Sequence, residues 1–341
     1  MIGIIGAGSF GTTLTKVISR NSSVLVYARQ ESLVHEINTL HTSNGYPLRT
    51  NVKATTNLSD VATQCELLFA VVPSSSFRGM MKDLNRFLTP AHVMIQCTKG
   101  LDVKLGPNED IMKAKITRDK VYTMTDVIKQ ESNVIRVGCL SGPNLAKEIL
   151  NGQPAATVIA SEYDEVIQKG QKALGSKKFF AFGSYDLRAA EIAGAFKNII
   201  ALASGILAGM GMGKNMQSLL ITRGLREMVY FGVAMGTSNT AYLGVAGIGD
   251  LIATATSEDS RNYTFGKRFA SGESLNHILS TTAEVVEGVR TLNIIYQLAT
   301  HEKLNLPIVH VLYKVVFEGF DMRRGLDFLM DDEYAVDVDY L

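Results

Sequence analysis

A doubly wound α/β domain over residues 1–185, followed by an all-helical domain over 186–341, is the architecture that this sequence predicts, and three observations carry it. The chain of 341 residues exceeds what one hydrophobic core usually supports, so two domains are expected. Its first half alternates short apolar runs with helical patterns, which implies parallel strands joined by covering helices. From Leu187 onward the pattern is rich in Ala, Leu and Met and holds no convincing strand run, so the boundary falls at Gly183 to Asp186.

In order, the strand runs are Ile2 to Ile5, Val24 to Ala28, Leu67 to Val72, Val93 to Gln96 and Val134 to Leu140. Ala156 to Ala160 and Lys178 to Phe182 extend the sheet. Leu101 to Ser132 is polar, poorly periodic and carries Gly106-Pro107, and it reads as a surface excursion. In the second half the longest uncharged run, Asn198 to Gly213, is shorter than the roughly 20 residues that span a bilayer, so it predicts a helix buried in protein. Asp331, Asp332, Glu333, Asp337 and Asp339 predict a solvated acidic tail.

Composition excludes several function classes. Lys+Arg total 34 against 33 Asp+Glu, for a formal net charge of +1, so there is no electrostatic footprint for nucleic acid or an anionic membrane. The strand opening at Ile2 leaves no room for a signal peptide, and the cytoplasm is the expected location. Cys65, Cys97 and Cys139 form no close pair or metal-ligand spacing and predict reduced, buried thiols.

Gly6-Ala7-Gly8-Ser9-Phe10-Gly11 follows the first strand and opens a helical pattern over Thr12 to Ser19. In that context the three glycines have separate tasks: Gly6 for a tight turn, Gly8 for approach of a pyrophosphate to the backbone, Gly11 for close helix–strand packing. The turn therefore predicts a Rossmann domain that binds a dinucleotide. The second strand ends at Tyr27-Ala28-Arg29 without the acid that receives a ribose 2′-hydroxyl. Arg29 suits a 2′-phosphate instead, so NADP stands beside NAD as cofactor, with Glu31 close enough to alter the local charge.

Chemistry is sought among charges in apolar settings. Lys197 lies within Ala193-Gly194-Ala195-Phe196-Lys197-Asn198, where an ammonium is costly without a partner or a function. Asp250 lies within Gly247-Ile248-Gly249-Asp250-Leu251-Ile252-Ala253-Thr254, placed either to orient the lysine or to cap the next helix. Ser260-Arg261-Asn262 follows, and its guanidinium can hold a phosphate bidentately. No His/Cys cluster is spaced for a metal.

Together these motifs resemble the bacterial NAD(P)-dependent glycerol-3-phosphate dehydrogenase family over nearly the whole chain. The matching segments, in order, are the Gly6 to Thr12 turn, Thr98-Lys99-Gly100, Ser141-Gly142-Pro143-Asn144-Leu145-Ala146-Lys147-Glu148, Lys197-Asn198, Arg223-Gly224, Gly247 to Leu251, Ser260-Arg261-Asn262 and Val285-Val286-Glu287-Gly288. The resemblance implies interconversion of sn-glycerol 3-phosphate and dihydroxyacetone phosphate for phospholipid synthesis, in a cleft between the two domains. It implies Lys197 as proton-transfer residue with Lys99 and Asp250 beside it, and Ser260, Arg261 and Asn262 on the substrate phosphate. Gly142 and Asn144 are implied near the substrate. Cofactor contacts are implied for Ser9, Phe10, Arg29, Lys99, Ala146, Arg261, Val285 and Glu287, beside Gly6, Gly8 and Gly11. A free lysine titrates near about 10.4, so burial and Lys99 would have to lower Lys197 for base work, while Asp250 opposes them and fixes its position.

Two departures stand out. Phe10 replaces a common tryptophan, and Asn144 stands where serine or threonine is frequent. Two rival readings differ in what they need. A dehydrogenase of another small hydroxy or keto acid shares the layout, whereas a non-catalytic dinucleotide sensor has no use for Lys197. Helical domains of this kind often pair, which makes a homodimer the expected assembly.

Overall fold

The computed structural model describes residues 1–106, 109–112 and 114–330; the expected acidic tail lies outside them. The chain forms two compact units, Met1–Asp102 with Thr123–Leu187, and Val103–Tyr122 with Arg188–Leu341.

The first unit is built on eight strands: β1 (Ile2–Ile5), β2 (Val24–Tyr27), β3 (Val52–Thr55), β4 (Leu67–Ala70), β5 (Val93–Gln96), β6 (Arg136–Ser141), β7 (Ala155–Ala160) and β8 (Phe179–Ser184). Their spatial order is β8-β7-β6-β5-β4-β1-β2-β3. Pairing is parallel from β3 through β6, with Ile2 against both Val24 and Leu67, while β7 runs antiparallel to β6 with Leu140 opposite Ile159. β1, β4 and β5 are buried at every position, as strands with both faces covered must be. Strand order reverses between β1 and β4, and such a switch point opens a ligand crevice at the carboxyl ends of the strands.

Among the described residues of the stretch read as a surface excursion several are buried, which corrects that expectation. Leu101, Ile116, Met124, Val127 and Ile128 are all buried. The helix Met124–Glu131 opens with a capping box between Thr123 and Asp126, and the carbonyl of Ile111 accepts from Asn293 and Gln297 in the second unit to which it belongs.

Among its described residues after Arg188 the second unit holds helices joined by short connections and no strand. Its central helix, Leu187–Gly209, is mostly apolar around its circumference and largely buried within the protein. It crosses the helix Arg261–Ala270 at backbone contact, since a Cβ at Gly205 would meet the Tyr263 carbonyl oxygen at 2.0 Å. That approach brings the start of the second helix to the Lys197-Asn198 turn of the first. All three cysteines are buried and none is in a disulfide among the described residues, and burial pushes the Cys65 thiol up to about 11.

Candidate active site

In the first unit the glycine turn sits at the switch point. Gly6 has φ +116°, and a Cβ there would meet the Val71 carbonyl oxygen at 2.2 Å; a Cβ at Gly11 would meet the Gly6 carbonyl oxygen at 2.0 Å. A Cβ at Gly8 meets nothing within 4 Å, so this position faces open space. Ser9 starts the helix Ser9–Ile18, and half-buried Phe10 packs against the sheet core. A helix N-terminus beside an open glycine fits a pyrophosphate. Arg29 is exposed at the end of β2.

Beyond the carboxyl ends of β5 and β6, Lys99 Nζ donates to the Gly142 carbonyl at 2.7 Å. Asn144 Nδ2 donates to Thr157 Oγ1 at 2.9 Å, and that hydroxyl spends its own proton on the Ser141 carbonyl at 3.0 Å. Thr157 must therefore accept from Asn144, which orients the amide and leaves Asn144 Oδ1 buried with no hydrogen-bond partner among the described residues. Ser141 Oγ is in the same condition. Ala146 opens the short helix Ala146–Leu150 that follows.

In the second unit Lys197, only 5% exposed, donates from Nζ to Asp250 Oδ1 at 2.7 Å and to Thr254 Oγ1. Thr254 in turn donates to Asp250 Oδ1 at 3.2 Å. Asp250 is the first residue of the helix Asp250–Thr256 and accepts from both Lys197 and Thr254, which fixes the position of the ammonium. A buried ammonium and carboxylate of this kind offset each other's desolvation, and removal of either leaves an uncompensated charge. Thr254 went unassigned in the sequence, although its place four residues after Asp250 on one helix face was a usable signal.

Ser260 Oγ caps the ten-residue helix Arg261–Ala270 by accepting from the Tyr263 N–H at 3.3 Å. Asn262 Nδ2 donates to Asn198 Oδ1 at 2.8 Å, and its Oδ1 accepts from the Gly288 N–H at 2.9 Å. The side chains of Ser260 and Asn262 are thus engaged in holding the site together. Arg261 Nη1 donates to the Val285 carbonyl at 3.1 Å and pairs with Glu284 at 2.8 Å. Glu287 opens the helix Glu287–Glu302 directly after this segment. Asn198 and Gly288 are thereby part of the same network as Asn262, which the motif alone did not reveal.

Comparison with known proteins matches both halves of this arrangement. A family model described as NAD-dependent glycerol-3-phosphate dehydrogenase N-terminus matches residues 1–167, and its C-terminal counterpart matches residues 186–327. The chain is 34% identical to a glycerol-3-phosphate dehydrogenase [NAD(P)+] of Acinetobacter baylyi, over 99% of this chain and 92% of that protein. It is 36% identical to that of an Exiguobacterium species over 93% and 91%. Among solved structures, glycerol-3-phosphate dehydrogenase from Coxiella burnetii superposes with a TM-score of 0.87 at 26% identity, covering 97% of this chain and 98% of that one. A ketopantoate reductase from Ralstonia eutropha, at 14% identity and a TM-score of 0.56, shares the fold alone. The chain belongs to the NAD-dependent glycerol-3-phosphate dehydrogenase family.

Proposed function

We propose that this protein catalyses reversible hydride transfer between sn-glycerol 3-phosphate and dihydroxyacetone phosphate with NAD(H) or NADP(H). The observation that carries the reading is the buried Lys197–Asp250–Thr254 cluster, in which an ammonium on a mostly apolar helix is held by two acceptors.

The nicotinamide supplies the hydride in the reductive direction and receives it in the oxidative one. Reduction of the C2 carbonyl leaves an alkoxide, which Lys197 Nζ protonates; oxidation returns that proton to the neutral amine. Asp250 and Thr254 fix Nζ in one place, and Asp250 lowers the cost of keeping the charged form in a buried setting. The substrate phosphate is taken by the Arg261 guanidinium and by the N–H groups that open the helix Arg261–Ala270, whose dipole favours an anion there. Ser260 and Asn262 hold that helix end in place. Asn144 Oδ1, a buried acceptor without a donor among the described residues, suits a substrate hydroxyl. Lys99 and Gly142 stand beside it.

For the cofactor, Gly8, Ser9 and the helix they open take the pyrophosphate, with Gly6 and Gly11 shaping the turn and Phe10 covering it. Arg29, exposed just after β2, takes a 2′-phosphate when the cofactor is NADP(H), and Ala146, Arg261, Val285 and Glu287 complete the contacts. The reaction runs toward glycerol 3-phosphate as a phospholipid precursor, in the cytoplasm, with a homodimer as the expected assembly to be checked by sedimentation.

The test is loss of reduced-nicotinamide absorbance on mixing purified protein with dihydroxyacetone phosphate and NADH or NADPH. A loss that requires the phosphorylated ketone supports the reading. Absence of turnover with both cofactors, or equal turnover of an unphosphorylated keto acid, overturns it.

A further inference from the structure

After the second strand the chain forms a small hairpin, Thr42–Ser43 paired with Tyr46–Pro47, whose tip is Asn44-Gly45. Both tip residues have positive φ, 50° and 79°, the conformation a tight two-residue hairpin demands and Asn-Gly supplies. The tip is fastened to the glycine turn. Asn44 Nδ2 donates to the Ala7 carbonyl at 3.0 Å and to Thr12 Oγ1 at 2.7 Å, and Ser43 Oγ shares a hydrogen bond with the same Thr12 hydroxyl at 2.8 Å.

The bond to Ala7 acts on its neighbour. A peptide unit is planar and trans, so its N–H points opposite to its carbonyl. Holding the Ala7 carbonyl toward the hairpin therefore turns the Gly8 N–H to the other side of the turn. Among the described residues that N–H donates to nothing, and the space around the Gly8 α-carbon is open.

We propose that Asn44 is a positioning residue for the dinucleotide: through the Ala7–Gly8 peptide plane it aims the Gly8 N–H at the pyrophosphate. The inference rests on the reading of this turn as the cofactor site. Asn44 acts at one remove, and it converts a flexible glycine-rich turn into a preformed donor, so that less ordering remains to be done when the anion arrives.

The test is calorimetric titration of NADH and NADPH into the substrate-free full-length protein, alongside the melting temperature without cofactor. Asn44→Gly keeps the positive φ and removes only the side chain; its dissociation constants are expected to rise about tenfold, the scale of one lost hydrogen bond. Asn44→Asp, which cannot donate to Ala7, is expected to bind at least as weakly. Ser43→Ala loosens the same hairpin at Thr12 without touching Ala7, and its dissociation constants are expected to stay within about twofold of the parent, as its loss spares the aiming bond. Unchanged binding in Asn44→Gly overturns the proposal, and so does equal weakening in Ser43→Ala, which would mean that general loosening is responsible. Failure of the parent protein to bind either dinucleotide overturns the cofactor-site reading itself.

Discussion

Thr254 stands between Lys197 and Asp250 as a relay: its hydroxyl accepts from the lysine and donates to the same carboxylate oxygen that the lysine contacts. The Lys197 ammonium is therefore held from two directions. Lys197→Ala is expected to lower turnover by about 10²–10⁴-fold, the range for lost acid–base catalysis, while calorimetric NADH or NADPH affinity stays near that of the parent. Thr254→Val, which removes one of the two holds, is expected to fall between the parent and Lys197→Ala in steady-state rate. Parental turnover in Lys197→Ala would remove it from the mechanism.

Two glycines of one turn separate folding from binding. A Cβ at Gly11 collides with the Gly6 carbonyl, so Gly11→Ala is expected to lower the melting temperature sharply or to abolish accumulation of folded protein. A Cβ at Gly8 meets only open space, so Gly8→Ala is expected to melt within about 2 °C of the parent while binding dinucleotide at least tenfold more weakly. Parental affinity in Gly8→Ala would mean that the pyrophosphate does not approach there.

Arg29 makes the choice of cofactor measurable. It is exposed at the end of β2, where a ribose is received in folds of this type. Arg29→Ala is expected to lower kcat/KM for NADPH about tenfold, the scale of a lost charge-assisted bond, and to leave NADH nearly unchanged. Equal effects on both cofactors would deny Arg29 a role in reading the 2′-phosphate.

Glu227 links stability to pH. Its carboxyl is buried, which pushes it up to about 8, against the opposing pull of the Ile308 and Val309 N–H groups, which it accepts at 2.6 and 3.2 Å, and of Arg226. Between the ordinary carboxylate value of 4.5 and about 8 the folded protein holds a proton that the unfolded chain has released. Stability from this group therefore declines as pH rises through that window and levels off above it. Melting temperatures from pH 5 to 9 are expected to show the decline in the parent and a flatter profile in Glu227→Gln. An identical slope in both would assign the dependence elsewhere.

Much of the fold was legible because buried parallel strands leave uncharged runs: Ile2–Ile5, Leu67–Ala70 and Val93–Gln96 announce themselves. β3 did not, since Val52-Lys53-Ala54-Thr55 is an edge strand whose Lys53 faces solvent and interrupts the run. The burial of Ile116 and Met124 was hidden for a related reason, as isolated apolar residues in a polar stretch carry no periodicity. In the site, Lys197 and Asp250 stood out because charge in an apolar setting requires an explanation. Asn44 and Thr254 did not, because their significance lies in partners, Ala7 and Lys197, that only folding brings near.

The allocation of Val103–Tyr122 to the helical unit means that the polypeptide passes between units three times: after Asp102, after Tyr122 and after Leu187. Neither unit is a continuous length of chain. A fragment starting at Arg188 would lack the Ile111 carbonyl that Asn293 and Gln297 bind, so gene-level dissection at the obvious boundary would yield an incomplete helical unit. During synthesis the ribosome delivers Val103–Tyr122, the first piece of that unit, long before the residues from Arg188 onward that complete it.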